Sequence, residues 1–449
     1  MDGQIRVQPC LRPHRTPITG QPVASPHQFP LDGRGWYFPV RRRWRSWASV
    51  PCCAAWAVRV TLRLGSYRRR GRRRTCCKGL ASMGLEDLSV VMGENVSKDV
   101  WSALRRGISP FSVSLPQKQL AALRALDSDM ESLLREDAVD SLTVMESEAE
   151  AQGAQKTLKY LLRLHDGLAV ESVLIPLKSS PVKTATTVCI SSQVGCAQGC
   201  RFCRTGDMGL LRNLSSEEIL AQVVQGRRIA RELNLPEVRK VVFMGMGDPL
   251  ANIQSVRTAV AALSDSFRMA IGRKRLQVST VAPTPAQVMQ MAGMRCGVVW
   301  SLHAANDALR AKLVPTAKHT IRDLRNAFME LLKAGGGVTP DRRLLVAVVM
   351  IAGVNDDEEH ARELADFLRP MYAHPDVGIA LNLIPYNPNP GQEEFCTSDY
   401  RTMLRFREVV NEELPLLGIH LRRTRGAAGS AACGQLATPK KTSARLCKE

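Results

Sequence analysis

Six apolar runs alternate with amphipathic segments over the central part of this 449-residue chain. The runs are rich in β-branched residues, as buried strands are, and they span residues 186–190, 238–244, 276–280, 298–302, 344–351 and 377–384. The first segment between them opens with Ser215 and has Glu218 three positions later, the pattern of a helix capping box. Strand–helix alternation of this kind predicts a parallel β-sheet covered by helices, either open or curled into a barrel.

The region before the first of these strands has a different pattern. Leucines in a charged background predict amphipathic helices from about residue 86 to 165, whereas residues 158–176 read as extended around an Asp166-Gly167 turn. The last residues of the chain are polar and rich in lysine. We therefore expect a leader at residues 1–85, an N-terminal helical accessory domain at 86–176, a core domain at 177–437 and a disordered tail at 438–449.

The leader holds most of the positive charge. Residues 1–80 carry 17 Lys and Arg against two acidic residues, so they contribute +15 of the formal net charge of +20. An acid-poor, arginine-rich leader is typical of an organelle transit peptide, and we expect a chloroplast rather than a mitochondrial one. The alternatives are a basic arm that binds nucleic acid and a disordered tail, and the protein is cytoplasmic if the leader is not a transit peptide. No apolar run is long enough to cross a membrane.

Three cysteines stand close together directly after the first strand. Cys196, Cys200 and Cys203 follow the spacing C-x3-C-x2-C, and thiolates are soft ligands that suit iron–sulfur clusters and zinc. Three thiolates can bind three irons of a [4Fe–4S] cubane and leave the fourth iron open to a substrate. The alternative is a structural zinc site completed by a residue such as His165 or Cys296. The spacing, at the end of the first strand of an α/β domain, is typical of radical S-adenosylmethionine (SAM) enzymes.

Several longer motifs resemble one branch of these enzymes, the adenine-C2 RNA methyltransferases of the RlmN/Cfr type. The resemblance runs from about residue 161 to 436 and is carried by residues 189–196, 208–214, 244–250, 301–304, 382–387 and 432–436. It implies an α/β fold, a radical SAM partial (β/α)6 barrel with a small N-terminal helical and strand extension. It also implies a [4Fe–4S] cluster on Cys196, Cys200 and Cys203, with SAM as the second cofactor.

The resemblance places the SAM contacts at the carboxyl ends of the strands, where α/β barrels have their chemistry. Gly247 and Asp248 match the positions near the SAM amino group. The family usually has Glu where Asp248 stands, which leaves its direct contact open. The remaining contacts implied by the resemblance are Ser279, Ser301, Leu302, His303 and Asn382. Taken singly, each of these would more often be a strand-end capping or turn residue.

Two further cysteines match this branch. The C2 carbon of adenine is electrophilic, so it does not attack SAM directly. The resemblance implies that one SAM methylates Cys433 and that a second SAM is cleaved to a 5′-deoxyadenosyl radical, which removes hydrogen from the S-methyl group. The methylene radical then adds to the adenine, and Cys189 releases the product by forming a disulfide bond. Glu171 matches the proton acceptor at the substrate carbon.

Each of these three residues has a structural alternative. Cys189 alone would read as a small apolar filler on a strand, and Cys433 alone as an incidental cysteine in a Gly/Ala-rich loop. Glu171 alone would read as an outward-facing strand residue. The joint presence of both cysteines with the triad favours the catalytic interpretation.

The resemblance implies methylation of adenosine C2 in organellar 23S rRNA, with tRNA as a further substrate. Two alternatives remain: methylation of C8 by the same mechanism, and a catalytically divergent RNA-binding paralogue, since the usual RNA-docking segment is reduced to a remnant at residues 105–108. Other candidate RNA contacts are Arg268, Arg273, Lys274, Arg275, Arg422, Arg423 and Arg425. We also expect an electron donor such as ferredoxin or flavodoxin, a monomer, and no membrane association.

Overall fold

The computed structural model describes residues 79–145, 156–178, 184–334, 343–389, 391–422, 424 and 430–438. The predicted leader up to residue 78 and the predicted tail from residue 439 lie outside these ranges. The strands are β1 (Val139–Met145), β2 (Thr157–Arg163), β3 (Ala169–Lys178), β4 (Thr184–Ile190), β5 (Gln193–Gly195), β6 (Leu210–Asn213), β7 (Val238–Phe243), β8 (Leu276–Thr280), β9 (Gly297–Ser301), β10 (Arg343–Met350), β11 (Gly378–Pro385) and β12 (Gly418–Leu421). The helices are α1 (Leu85–Met92), α2 (Glu94–Arg105), α3 (Gln117–Leu126), α4 (Ser128–Leu133), α5 (Arg204–Asp207), α6 (Ser216–Glu232), α7 (Ile253–Ser264), α8 (Pro285–Met289), α9 (Asp307–Leu313), α10 (Ile321–Ala334), α11 (Glu358–Tyr372) and α12 (Tyr400–Glu413). None of these helices has both the length and the apolarity that crossing a membrane requires.

Ten of these strands form one sheet, in the order β1-β2-β3-β4-β7-β8-β9-β10-β11-β12, while β5 and β6 pair with each other. From β4 to β12 every neighbouring pair in this sheet is parallel. Parallel strands need a crossover connection, and helices supply it between most of them. The six apolar runs of the sequence correspond to β4 and β7–β11, so the predicted alternation and the partial-barrel fold are confirmed.

The parallel part of the sheet has one strand more than predicted. β12 pairs with β11, from Ala380 opposite Gly418 to Leu383 opposite Leu421. Its sequence, Gly-Ile-His-Leu, is too short and too mixed in polarity to indicate a strand. This seventh parallel strand leads the chain back toward the carboxyl ends of the other strands, where the predicted site lies.

The N-terminal extension contains strands as well as helices. β1, β2 and β3 pair antiparallel with one another and join the parallel sheet through β4. Two predicted boundaries are therefore wrong. Residue 176 lies inside β3, and Leu80 and Ala81, which the prediction assigned to the leader, are fully buried. The end of the leader was predicted from the lack of acidic residues, and the sequence remains free of acidic residues beyond the first residues of the core.

The turn after α2 packs against α6. Arg231 Nη1 donates hydrogen bonds to the carbonyl oxygens of Arg106 and Gly107 at 2.8 and 3.2 Å. Gly107 has a φ of +66°, and a Cβ at this position would lie 2.3 Å from the backbone nitrogen of Arg228. Residues 105–108, the predicted remnant of an RNA-docking segment, therefore form a packing contact between the accessory helices and the barrel.

Replacing Gly107 with alanine is expected to lower the free energy of unfolding by about 3 kcal/mol or more, because a clash with the backbone adds to the strain of the left-handed φ. Gly353 has a similar φ of +67° with no atom within 4 Å of its Cβ position. Gly353→Ala should therefore cost only the conformational strain, about 1–2 kcal/mol. Urea denaturation of both variants measures the difference. Equal losses of unfolding free energy in the two variants would show that the turn at Gly107 relaxes and that the clash costs nothing.

Candidate active site

The three cysteines of the C-x3-C-x2-C stretch lie in one tight loop between β5 and α5, the cluster loop (residues 196–203). Gly195 precedes it with a φ of +78°, and a Cβ here would lie 1.9 Å from the carbonyl oxygen of Gly209. The Cys196 N–H donates to this same oxygen at 3.0 Å. Only glycine fits at position 195, so the local backbone fixes the point at which the loop leaves the sheet.

Burial acts on all three thiols of the cluster loop, and neighbouring thiolates act on Cys196 and Cys200 as well. Burial raises the pKa of Cys196 to about 12 and also raises the pKa of Cys200 and Cys203. Negative charge on neighbouring thiolates and on Asp248 raises the pKa of Cys200 further. Free thiolates are therefore disfavoured, and bound metal ions would supply the missing positive charge. Three soft donors on one loop fit a [4Fe–4S] cluster.

Neither residue considered as a fourth zinc ligand joins the cluster loop. His165 Nδ1 lies 3.5 Å from a carboxylate oxygen of Glu218, and Cys296 is buried near Arg273. In the part of the chain that the structure describes, no three His, Cys, Asp or Glu side chains are placed to hold a single metal ion. The donor set of this loop is three thiols.

A buried arginine on α9 binds the backbone at the ends of two strands beside the cluster loop. Arg310 on α9 is 1% exposed. Its guanidinium donates hydrogen bonds to three backbone carbonyl oxygens, those of Val281, Ser301 and Leu302. At the end of the same helix, the Leu313 carbonyl accepts a hydrogen bond from the Arg201 N–H at 3.1 Å. One helix therefore joins the ends of β8 and β9 to the cluster loop. Arg310 was not among the predicted site residues, because an arginine in a short amphipathic helix is usually exposed.

The loop after β7 carries Gly247 and Asp248. Gly247 has a φ of +89°, and a Cβ there would lie 2.5 Å from Cβ of Gln193, so this close approach requires glycine. The Asp248 side chain is 4% exposed. Its carboxylate accepts hydrogen bonds at 2.9 Å from three donors, Thr280 Oγ1 and the N–H groups of Leu250 and Val281. This carboxylate joins the β7 loop to the end of β8. Its predicted contact with SAM stays a prediction.

The remaining polar positions share one level of the barrel. The hydroxyl oxygens of Ser279 and Ser301 lie 3.0 Å apart. Ser301 pairs with Ala347, and Ala347 pairs with Asn382, so Asn382 stands at the same height two strands away. Leu302 is fully buried, and its N–H donates to the Ala347 carbonyl at 3.0 Å. Asn382 is 5% exposed. Its side-chain amide forms no hydrogen bond with another residue that the structure describes, so this group is available to a ligand.

His303 is held in an uncommon conformation at the end of β9. Its φ is +66°, and its ring lies edge-on to Phe202 with 4.6 Å between the centroids. Asn355 Nδ2 donates to the His303 carbonyl at 2.9 Å. Burial, with a contribution from the nearby Arg310 charge, lowers the pKa of His303 to about 3. The imidazole is therefore neutral, and such strained backbone is typical of functional sites.

The structure brings Cys189 and Cys433 together. Burial raises the pKa of Cys189 to about 12, and the nearby Cys433 contributes to this shift. Cys433 is exposed, and the protein around it still raises its pKa to about 11; Cys203 acts in the same direction and Arg422 opposes it. Both thiols are free in this structure. The two predicted catalytic cysteines therefore lie in one site beside the cluster loop.

Glu171 faces the same site from β3. It is 6% exposed, its Oε1 lies 2.8 Å from Lys159 Nζ, and its Oε2 accepts a hydrogen bond from the Ala437 N–H at 2.9 Å. A buried carboxylate needs such partners. The alternative interpretation of an outward-facing strand residue is therefore wrong. Lys159 was not among the predicted site residues, because nothing in the sequence marks a lysine on a strand as buried.

Residues 430–438 form the C-terminal segment, which carries Cys433 into the site. Its backbone accepts hydrogen bonds from the chain after Cys203 and from the chain after β11. The donors are the Arg204 N–H, Thr205 Oγ1 and Asn387 Nδ2, which bond to the carbonyl oxygens of Gly434, Leu436 and Cys433 at 2.8, 2.5 and 2.9 Å. The segment that bears one predicted catalytic cysteine is thus attached directly to the predicted cluster site.

The predicted RNA contacts divide into buried and accessible residues. Arg268 is 8% exposed, donates to the Ala81 carbonyl at 3.2 Å and stands over the Trp101 ring. It is a packing residue, and the prediction is wrong for this position. Arg422 is exposed and near Cys433. Arg423 and Arg425 lie outside the described residues.

Comparison with known proteins gives consistent matches. Residues 190–368 match the radical SAM superfamily. The dual-specificity RNA methyltransferase RlmN of Phenylobacterium zucineum is 38% identical over 304 residues, which cover 67% of this chain and 74% of the relative. RlmN of Syntrophobacter fumaroxidans is 37% identical over 300 residues, covering 66% and 80%. Among solved structures, a radical SAM methyltransferase from Sphaerobacter thermophilus has a TM-score of 0.65 at 31% identity, covering 80% of this chain and 98% of its own.

These similarities extend well beyond the cysteine loop and agree with the fold. The family requires a [4Fe–4S] cluster and SAM, and the cluster loop and the barrel residues fit both groups. The chain therefore belongs to the RlmN-type family of dual-specificity, radical SAM RNA methyltransferases.

Proposed function

We propose that this enzyme methylates C2 of adenosine in RNA, with 23S rRNA as the principal substrate and tRNA as a second one. The observation that carries the proposal is the placement of the Cys189 and Cys433 thiols in one site beside the cluster loop. Direct methyl transfer from SAM to a nucleophile needs no second cysteine, whereas delivery through an S-methyl group needs one to carry the methyl and one to release the product. The relatives' name supports RNA as the substrate.

Three residues have the main roles in this proposal. Cys433, exposed on the C-terminal segment, accepts the methyl group of one SAM and carries it to the adenine. When bound, the [4Fe–4S] cluster and a second SAM supply the radical that activates the S-methyl group. Cys189 then releases the product by forming a disulfide bond, and Glu171 takes the proton from the substrate carbon. Two SAM molecules are used in each turnover.

The SAM contacts proposed here surround the carboxyl ends of β7, β8, β9 and β11. They are Gly247, Ser279, Ser301, Leu302, His303 and Asn382. The free amide of Asn382 and the neutral imidazole of His303 support this assignment, since both can donate to a bound ligand. Asp248 acts through the loop that it holds in place.

Product analysis tests the proposal. The full chain is reconstituted anaerobically with iron and sulfide, then incubated with SAM, a reductant and rRNA lacking the modification, and the nucleosides are analysed by mass spectrometry. We expect 2-methyladenosine, and none when the reductant is omitted. Formation of 8-methyladenosine would move the reaction to C8. If SAM is cleaved and neither rRNA nor tRNA is methylated, the proposed substrate is wrong.

We propose that the RNA strand beside the target adenosine lies in a groove along the edge strand β12. The groove has a volume of about 530 Å³ and includes Arg407, His420, Arg422 and Tyr400 among its lining residues. Neither Arg407 nor Arg422 forms an ion pair with another residue that the structure describes, and Tyr400 is 65% exposed. Unpaired arginines beside an exposed aromatic ring suit phosphate and base contacts of single-stranded RNA. Arg422 connects this groove to Cys433.

Replacing Arg407 with glutamine is expected to weaken RNA binding about three- to tenfold and to reduce the slope of log Kd against log salt concentration by about one, because one phosphate contact is lost. Arg401 lies on the same helix and does not line the groove. Arg401→Gln removes the same charge and should leave binding nearly unchanged. Fluorescence anisotropy with labelled RNA measures both. An equal loss in the two variants would indicate a general charge effect and no binding groove.

We also propose that residues before Gly79 include a chloroplast transit peptide. The acid-poor, arginine-rich composition of residues 1–80 supports this. Residues 1–78 fused to a fluorescent protein should direct it into chloroplasts of plant cells. Fluorescence that stays in the cytosol or enters mitochondria would overturn the assignment.

A further inference from the structure

The β2–β3 hairpin contacts both ends of the C-terminal segment. Lys159 Nζ on β2 donates to the Ser430 carbonyl at 3.3 Å and lies 2.8 Å from Glu171 Oε1. Glu171 Oε2 accepts from the Ala437 N–H at 2.9 Å. Ser430 and Ala437 stand on either side of Cys433, so one ion pair holds the backbone before and after the predicted methyl carrier.

The register of the sheet explains why these two side chains meet. Val173 pairs with Lys159 on one side and with Cys189 on the other, so all three residues occupy one row of the sheet. Glu171 is two residues from Val173 on the same strand and therefore shares its face. Tyr160, next to Lys159, points to the opposite face, where its hydroxyl bonds to the Gln222 carbonyl on α6. The ion pair therefore lies on the barrel side of the hairpin, with Lys159 in the row of Cys189.

The burial of this pair needs an explanation. The side chains of Lys159 and Glu171 are 17% and 8% exposed. A buried ion pair gives little net stability compared with apolar residues of the same size, because both charges lose their hydration. Such a pair contributes most to the structure where its charged groups also form hydrogen bonds with a backbone segment that must stay in one position. Among the residues that the structure describes, the backbone groups bound by these two side chains belong to the C-terminal segment, at Ser430 and Ala437.

We propose that Lys159 and Glu171 form a clasp that closes the C-terminal segment over the barrel and thereby positions Cys433, which makes Lys159 a positioning residue for the methyl transfer. The proposal rests on the proposed function for the role of Cys433. The clasp also orients Glu171, because its two carboxylate oxygens are bound by different parts of the chain. The proposed proton acceptor therefore has both of its partners only when the segment that carries Cys433 is in place.

Hydrogen–deuterium exchange on the full chain with its reconstituted cluster tests the clasp without using activity. Lys159→Met keeps most of the side-chain length and removes the charge. Amide exchange in a peptide covering residues 430–438 is expected to become about tenfold faster, since charge-assisted hydrogen bonds that hold the segment are lost. Lys159→Arg should restore most of the protection. Arg163→Met removes a charge from the exposed end of the same strand and should leave this exchange unchanged.

A second variant covers the case in which Lys159→Met unfolds. Glu171→Gln keeps the shape of the side chain and should also speed exchange in residues 430–438. Unchanged exchange in either folded variant would overturn the clasp. The fraction of Cys433 that carries a methyl group after incubation with SAM, read by mass spectrometry, should fall in Lys159→Met and recover in Lys159→Arg. If wild-type Cys433 is never methylated while the exchange still responds, the proposed function fails and the clasp stands.

Discussion

Cys433→Ala is expected to form no methylated adenosine, a loss of at least about a thousandfold. The C-terminal segment is held through its backbone, since Asn387 donates to the Cys433 carbonyl and Arg204 to the Gly434 carbonyl. Removing the Cys433 sulfur therefore leaves these contacts in place, and the variant should fold normally. Cys189 cannot replace it, because that thiol is buried on β4, whereas Cys433 is exposed.

In the Cys189→Ala variant, the reaction is expected to stop at a later stage. The methyl carrier is intact, so addition to the adenine proceeds, and the product stays attached to Cys433 because the releasing thiol is missing. A covalent protein–RNA adduct should appear on a denaturing gel in this variant and in neither the wild type nor Cys433→Ala. Cys296→Ala is the matched control, since that buried cysteine lies near Arg273 outside the site. Methylated RNA from Cys433→Ala, or no adduct with Cys189→Ala, would contradict the two-cysteine assignment.

Cys200→Ala is expected to lose the iron–sulfur cluster. Iron bound after anaerobic reconstitution should fall from about four atoms per chain to less than about one, and the visible absorbance should disappear with it. Cys200 is 9% exposed and packs with Phe202 and Val281, so alanine leaves only a small cavity and the fold should persist.

The control for this loss is again Cys296→Ala, which removes a buried thiol from a different part of the core. Its iron content should equal that of the wild type. SAM cleavage to 5′-deoxyadenosine should be absent in Cys200→Ala and normal in the control. A full complement of iron in Cys200→Ala would mean that the cluster loop does not hold the metal.

The sequence was most informative where local patterns determine the structure. The apolar runs that became β4, β10 and β11 each contain five consecutive buried residues, so both faces of these strands are covered and their pattern is continuous and easy to recognise. The capping box was correct as well: Ser215 N–H donates to the Glu218 carboxylate at 2.9 Å, and Glu218 N–H donates to Ser215 Oγ at 3.1 Å. The cysteine spacing lies in one loop and needs no knowledge of the rest of the fold.

Residues whose role depends on distant parts of the chain could not be predicted. Arg310 and Lys159 are buried by segments that the sequence does not place beside them, and Arg268 was taken for an RNA contact for the same reason. The short strand β12 has too few residues for a period to be visible. The hydrogen bonds that the Asp248 carboxylate accepts from Thr280 and from neighbouring backbone depend on how the β7 loop meets the end of β8, which the sequence does not show.

The hydrogen bonds that hold the C-terminal segment join parts of the chain that are very far apart. Ala437 and Glu171 are separated by 266 positions, and Leu436 and Thr205 by 231. Ordering such a segment costs conformational entropy, which a few polar contacts only partly offset. We therefore expect this segment to open at denaturant concentrations that leave the ten-stranded sheet folded. As denaturant is added, enzyme activity should be lost before secondary structure. A native circular dichroism spectrum therefore does not by itself show that a preparation is active.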